Sequence, residues 1–205
     1  ARYCLGGEEI ASFVSMAVIV PTLIGAAIAV QLCKKYDKFK IFYFSYMFAL
    51  ILGIVRYIAG YENMMVYVIL NALGGFPLGI AAILQYQFTP DCYEYGQYKT
   101  GLKMRGVTFA AQTFFTKLNG AIATAASVFA LTLIGFKEGE GVIQAAGFAD
   151  KLWTFSCLGS IIGGICTLLI LHLYKLNDHD VQLMSKCNNG EITREEAEAQ
   201  MINRY

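Results

Sequence analysis

Apolar side chains fall along the chain in five long runs separated by short charged connections: residues 10–32, 41–60, 64–86, 107–136 and 152–174. Each run reaches the about 20 residues that a helix needs to cross the ~30 Å apolar core of a bilayer. None alternates with the period of two that a membrane strand requires. In lipid the backbone must bond within its own segment, so these runs predict five helices. Pro21, and Gly74, Gly75, Pro77 and Gly79, predict pliable points in the first and third spans. Gly159 and Gly163, beside Gly164, form a small-xxx-small pair that predicts close helix approach. The expected fold is an all-α membrane protein, with a partial transmembrane bundle over 1–174 and a tail over 175–205. Thr193 and Glu196 have capping-box spacing, and with Glu191, Glu195 and Glu198 they predict a solvated, acidic helix in that tail.

Composition supports the same class. Hydrophobic residues make up 57% of the 205 and charged residues 15%, against about 25% charge in soluble domains. Sixteen Lys and Arg against 15 Asp and Glu give a net charge of +1. That balance excludes a basic nucleic-acid surface and an acidic solvated chain. Lys and Arg are distributed unevenly between the two sides. Lys34, Lys35, Lys38 and Lys40, then Lys99, Lys103 and Arg105, then Lys175, Lys186, Arg194 and Arg204 fall on one side; Arg2, Lys137 and Lys151 fall on the other. The rich side is expected to be cytoplasmic. The protein is therefore expected in the cell (inner) membrane as a multi-pass chain, with its first residues outside and its tail cytoplasmic. Five spans and an opening without Met predict a fragment of a longer protein.

Chemistry of other kinds finds little support. The six cysteines (4, 33, 92, 157, 166 and 187) form no Cys-x-x-Cys pair and read as reduced, small apolar residues. His172 and His179 are not spaced with other ligands, so no metal site is expected. No Ser/His/Asp or Cys/His set converges in the spans, and no enzyme is expected.

All fifteen acids lie outside the spans or at their edges, and two charges fall within them, Arg56 and Lys117. Arg56 lies near an outer end and is expected to snorkel to the interface. Lys117 lies about 15 Å deep at ~1.5 Å per residue, where an uncompensated charge costs at least ~2.5–3.5 kcal/mol. Thr113, Thr116, Lys117, Gly120, Thr124 and Ser127 share one helical stripe, flanked by Gln112 and Asn119. Such a stripe through a span points to a water-filled cavity. The alternative is hydroxyls bonded to their own backbone in a packed bundle, which leaves Lys117 and Gln112 unexplained.

The connection over 90–106 reads PDCYEYGQYKTGLKMRG and puts mixed charge at the cytoplasmic edge. Followed by Gln112-Thr113 and Lys117, it resembles the glycoside–pentoside–hexuronide:cation symporters, the melibiose-carrier family of the major facilitator fold. Leu133-Ile134-Gly135-Phe136, Tyr174-Lys175-Leu176-Asn177 and the opening Tyr3-Cys4-Leu5-Gly6-Gly7 extend the likeness over nearly the whole chain. The resemblance implies that the five spans are helices eight to twelve, part of a C-terminal six-helix bundle. It implies sugar:cation symport, with Lys117, Gln112, Thr113, Thr116 and Asn119 at the substrate and cation site. It also implies a cytoplasmic-gate loop made of Asp91, Glu94, Tyr95, Gly96, Tyr98, Lys99 and Arg105. The implied partners are a small sugar, the lipid bilayer, the N-terminal half of the same transporter and a coupling Na⁺ or H⁺ held by residues outside this chain; no other cofactor is implied. Where melibiose carriers have an aromatic on helix ten, this chain has Ala81 and Ala82, so the sugar does not carry over. A carrier of a lipid or another solute, and a non-transporting membrane scaffold, are the competing readings.

Overall fold

A computed structural model describes residues 9–137 and 144–205, with side chains from Ser12 onward. The opening Tyr3–Gly7 likeness and Arg2 lie outside the described residues. Five helices among the described residues are long and apolar enough to cross a membrane: α1 (Glu9–Leu32), α2 (Lys38–Ala59), α3 (Met64–Thr100), α4 (Arg105–Leu133) and α5 (Phe148–Leu171). Two short helices follow, α6 (Asp178–Asn188) and α7 (Arg194–Gln200). The all-α membrane fold expected from the sequence is the fold observed.

Local chemistry sets the boundaries. Asp37 caps α2, accepting from Phe39 N at 2.9 Å and Lys40 N at 3.4 Å, and Asn63 does the same for α3 through Met65 N and Val66 N. Gly101 ends α3 in the left-handed conformation (φ 73°), which a side chain rarely adopts. In α7 the capping box forms: Thr193 N donates to Glu196 Oε2 at 2.8 Å, and Glu196 N donates to Thr193 Oγ1 at 3.2 Å.

The centre of the bundle is α3, with α1 and α2 packed against it and α5 on α2. Small residues let α1 and α3 approach closely. A Cβ built on Gly79 would lie 2.0 Å from the Thr22 carbonyl oxygen, one on Gly25 2.1 Å from the Phe76 carbonyl oxygen, and one on Gly75 2.7 Å from the Val18 oxygen. The predicted close approach at Gly159 and Gly163 is not seen, because a Cβ at either meets nothing within 4 Å; only Gly164 of that trio is tight, 3.1 Å from Leu50 Cδ1. Spacing alone does not say which face of a helix a glycine pair occupies. Towards one end of the bundle, Ala29, Ile41, Phe42, Ile80, Ala81 and Leu84 form the buried core.

Two expectations are corrected. The gate segment is not a loop. Helix α3 runs 37 residues through Pro77 and Pro90, about 55 Å at ~1.5 Å per residue, so its last third projects beyond a ~30 Å apolar core. An interior proline costs a hydrogen bond. Contacts made by Asp91, Gln97 and Tyr98, all buried, hold this stretch helical. The tail is not a free solvated extension either. Helix α6 docks on the projecting part of α3 and carries α7 with it, burying Val181, Leu183, Met184 and Ala197; the acids of α7 do remain exposed.

Helix α4 stands apart. Every residue from 110 to 129 except Gln112 is exposed, and only Ala130 is buried.

The glycine contacts yield a paired prediction. Gly79→Ala forces backbone apart and should destabilise the purified protein by about 1–3 kcal/mol. Gly74→Ala, whose Cβ meets open space, should be neutral or slightly stabilising. Denaturant titration of both variants measures the difference.

Candidate functional site

Two polar regions carry candidate function. The first is the stripe on α4. Thr113 Oγ1 donates to Phe109 O at 3.0 Å, Thr116 to Gln112 O at 2.8 Å, Thr124 to Gly120 O at 3.0 Å and Ser127 to Ala123 O at 2.8 Å. The hydroxyl protons are thus satisfied by the helix itself, as in the packed-bundle alternative, yet the helix is not packed. Each oxygen still has a lone pair to accept with. Lys117 and Asn119 are exposed and Gln112 is half-buried. Lys117 lies 12 residues after Arg105 and 16 before Leu133, and no ion pair is formed by it among the described residues. Ala81 is buried in the core beside α1 and α2, whereas Ala82 is exposed. The helix-ten departure therefore concerns one core position and one open position.

The second region lies at the projecting end of α3. Lys38 Nζ donates to both Asp91 oxygens at 2.8 Å and lies 3.2 Å from Asp178 Oδ1. The starts of α2 and α6 exchange caps: Asp178 Oδ2 accepts from Lys38 N at 2.8 Å, and Asp37 Oδ2 accepts from Asp178 N at 2.9 Å. Phe39 stacks on Tyr174 at 5.5 Å beside this pair. Further along α3, Glu94 accepts from Asn188 Nδ2 at 2.8 Å through Oε2 and 3.0 Å through its carbonyl oxygen. The Tyr98 hydroxyl and Arg194 Nε both donate to Glu198 Oε1 at 3.0 Å, and the Arg194 guanidinium lies over the Tyr98 ring at 4.9 Å. Tyr95 meets the Tyr205 ring at 5.8 Å.

Asp180 fastens the end of the chain. It is 0% exposed and accepts from Ile202 N at 2.8 Å, Asn203 N at 3.0 Å and the Tyr205 hydroxyl at 3.0 Å. Burial would raise its pKa, but these backbone N–H groups, with His179 and Asn177, outweigh burial and hold the carboxyl at about 2.

The gate residues from the sequence therefore divide. Asp91, Glu94, Tyr95 and Tyr98 are tied down by α2 and the tail. A Cβ on Gly96 would meet open space, Lys99 is exposed, and Arg105 lies at the start of α4 with its guanidinium 5.8 Å over the Phe109 ring. Their partners Lys38, Asn188, Tyr205 and Glu198, and the Asp37, Asp178 and Asp180 carboxylates that fix those partners, were not anticipated. Lys38 stood out only as one of four lysines in a basic connection. The available signal was the capping chemistry of Asp37 ahead of α2 and of Asn177 ahead of α6.

Arg56 is a further correction. It does not snorkel outwards: its Nη1 donates to Asn71 Oδ1 at 3.0 Å, and its guanidinium lies 6.0 Å from the Trp153 ring centre. Asn71 lies seven residues into α3, so the side chain turns into the bundle.

Five long apolar helices, a polar stripe on a bare helix and a charged cluster at one end define a multi-pass helical membrane protein. The family model described as "MFS/sugar transport protein" matches residues 1–178. The chain belongs to that family. A protein of Escherichia coli K12 named "Putative sulfoquinovose importer" is 23% identical over 206 residues, covering 97% of this chain and 43% of its own length. One from the same organism named "Putative glycoside/cation symporter YagG" is 20% identical over 185 residues, covering 90% of this chain and 40% of its own. "Uncharacterized symporter YjmB" of Bacillus subtilis 168 is 22% identical over 179 residues, covering 87% and 38%. The chain thus spans less than half the length of these relatives. No solved structure gives a significant match.

The tail should undock in acid with a defined sign. The Asp180 carboxyl has a folded pKa of about 2, lowered from 3.8, so its contribution is fully present above pH 3.8 and is lost as pH falls through about 2. Asp180→Asn should release the tail at neutral pH. Hydrogen exchange of amides in 178–203 should rise roughly tenfold or more, because bonds to a charged acceptor are worth about 1.5–3 kcal/mol.

Proposed function

We propose that the chain is part of a secondary active transporter that carries a sugar, of the glycoside, pentoside or hexuronide class, together with Na⁺ or H⁺. The observation that carries this reading is Lys117, an ammonium about half-way along an apolar helix, on a face that the rest of the described chain leaves bare. A charge at that depth needs an anion or water, and the acids of this chain lie elsewhere. Family membership supports a counterpart in the longer protein: carboxylates of the N-terminal half that hold the coupling cation.

In this reading Lys117 links those carboxylates to the substrate. The Gln112 and Asn119 amides donate to and accept from sugar hydroxyls, and the Thr113 and Thr116 oxygens accept from them. Loading cation and substrate together neutralises the site, and the loaded and empty forms rock while half-loaded forms do not. The lysine-rich end, with the Lys38 cluster and the tail, faces the cytoplasm in this reading. There the tied Asp91, Glu94, Tyr95 and Tyr98 present a rigid rim, and Lys99 and Arg105 remain available to the opposite half. Two of the relatives are named for a sulfonated sugar and a glycoside, and both are compatible with an ammonium set among hydrogen-bonding groups.

The test is cation-driven sugar uptake by the full-length protein in proteoliposomes. Lys117→Ala should lower uptake roughly tenfold to a hundredfold, the size of a lost charge-assisted bond, and should alter its cation dependence. Unchanged uptake with unchanged cation dependence removes Lys117 from the mechanism.

A further inference from the structure

A second intramembrane cation lines a cavity to which α4, with the Lys117 stripe, contributes no residue. Arg56, near one end of α2, is half-buried, and its Nε is buried without a hydrogen-bond partner. Asn71 takes one Nη, and the buried Cys157 thiol lies within hydrogen-bonding reach. The nearest acid on α5, Asp150, accepts from the Tyr61 hydroxyl, and no ion pair is formed by Arg56 among the described residues. The guanidinium faces a cavity of about 280 Å³ between α1, α2, α3 and α5.

The walls specify the occupant. They are mostly apolar, with Leu50, Leu70, Leu78 and Ile161 among them. Of the three hydroxyls there, Ser160 and Thr167 donate to Ser156 O and Gly163 O of their own helix, and the third is the Tyr46 phenol. A sugar ring would find too few donors. Gly53 and Gly163 keep the space open. Leu78, Ser160 and Gly163 are exposed, so the cavity opens sideways. Beside Arg56, Tyr61 and Tyr67 gather on Trp153 at 5.4 and 5.7 Å, the aromatic cluster typical of the headgroup level. A cation turned inward from that level, beside an apolar slot, matches an anion with a hydrocarbon chain.

We propose that this cavity holds the headgroup phosphate and upper acyl chain of an anionic phospholipid, with Arg56 as its counter-ion. At about 280 Å³ it is near the lower end of small-ligand pockets, about 300–1,000 Å³, so the rest of the lipid stays in the bilayer.

Native mass spectrometry of the purified full-length protein, titrated with phosphatidylglycerol or phosphatidylcholine, tests this. The wild type should retain phosphatidylglycerol several-fold over phosphatidylcholine. Arg56→Gln should abolish the preference and Arg56→Lys should keep it. Gly163→Leu fills the slot without touching the charge and should also displace the lipid, so it decides the matter if Arg56→Gln does not fold. Equal retention of both lipids by the wild type overturns the proposal, as it would if a carboxylate elsewhere in the protein neutralised Arg56. So does a preference that survives Gly163→Leu, which would place the lipid on lysines such as Lys34 and Lys35.

Discussion

One lysine holds three separate parts of this chain in register. Lys38 begins α2, Asp91 lies on the projecting end of α3 and Asp178 begins α6, and the Lys38 ammonium touches both carboxylates. The side chains of Lys38 and Asp91 are 18% and 8% exposed, so bringing them together costs desolvation that offsets much of the Coulomb gain. The pair is better understood as a device of specificity than of stability. Removing Lys38 would leave the Asp91 carboxylate uncompensated in a poorly hydrated place, whereas without Asp91 the ammonium keeps Asp178 at 3.2 Å. The exchanged caps of Asp37 and Asp178 point the same way: each helix start satisfies the other's first amide, so neither can shift along its axis alone. Pro90 interrupts the α3 ladder, and the helix still runs ten residues further because its outer face is already occupied.

This arrangement divides the molecule into a fixed part and an open part. Helices α1, α2 and α3 and the tail lock together through tight glycine contacts at α1–α3 and polar ties at the cluster, and α5 packs on α2. Helix α4 has neither, and its exposed residues include Phe114, Phe115, Ile122, Val128 and Phe129 beside Lys117. A helix that is apolar on most sides and polar along one stripe needs two different neighbours, something apolar around it and something hydrated or charged in front of Lys117. The described chain supplies neither. In the proposed transporter, a second half facing the stripe would meet both needs.

Much of the fold was legible in the sequence, because bilayer thickness constrains length and composition strongly. The five apolar runs became the five long helices, and Thr193 with Glu196 became a formed capping box. What was not legible depended on contacts between distant residues. The Asp91–Thr100 stretch looks like a loop, with Pro90 before it and Gly101 after it, until α6 is placed against it. Gly159 and Gly163 look like a packing pair, while the tight approach belongs to Gly25 and Gly79, in helices whose facing sides no local pattern reveals. For the candidate site, the Lys117 stripe could be read because helical periodicity alone assembles it. The Lys38 cluster joins positions up to 141 apart, so periodicity could not assemble it.

The two intramembrane cations show how depth and direction set function. Lys117 sits near mid-helix and projects from a bare face, so whatever neutralises it can arrive and leave, as the proposed transport cycle requires. Arg56 sits nearer a helix end and turns inward, held by Asn71 and bordered by Trp153, so whatever neutralises it must fit among fixed helices. The Lys117 ammonium has a flexible stem and three donors, suited to partners that change during a cycle. The Arg56 guanidinium is a planar fork already partly bonded, suited to one lasting anion. The chemistry of each side chain thus agrees with its surroundings, and the same argument separates the proposed substrate site from the proposed lipid site.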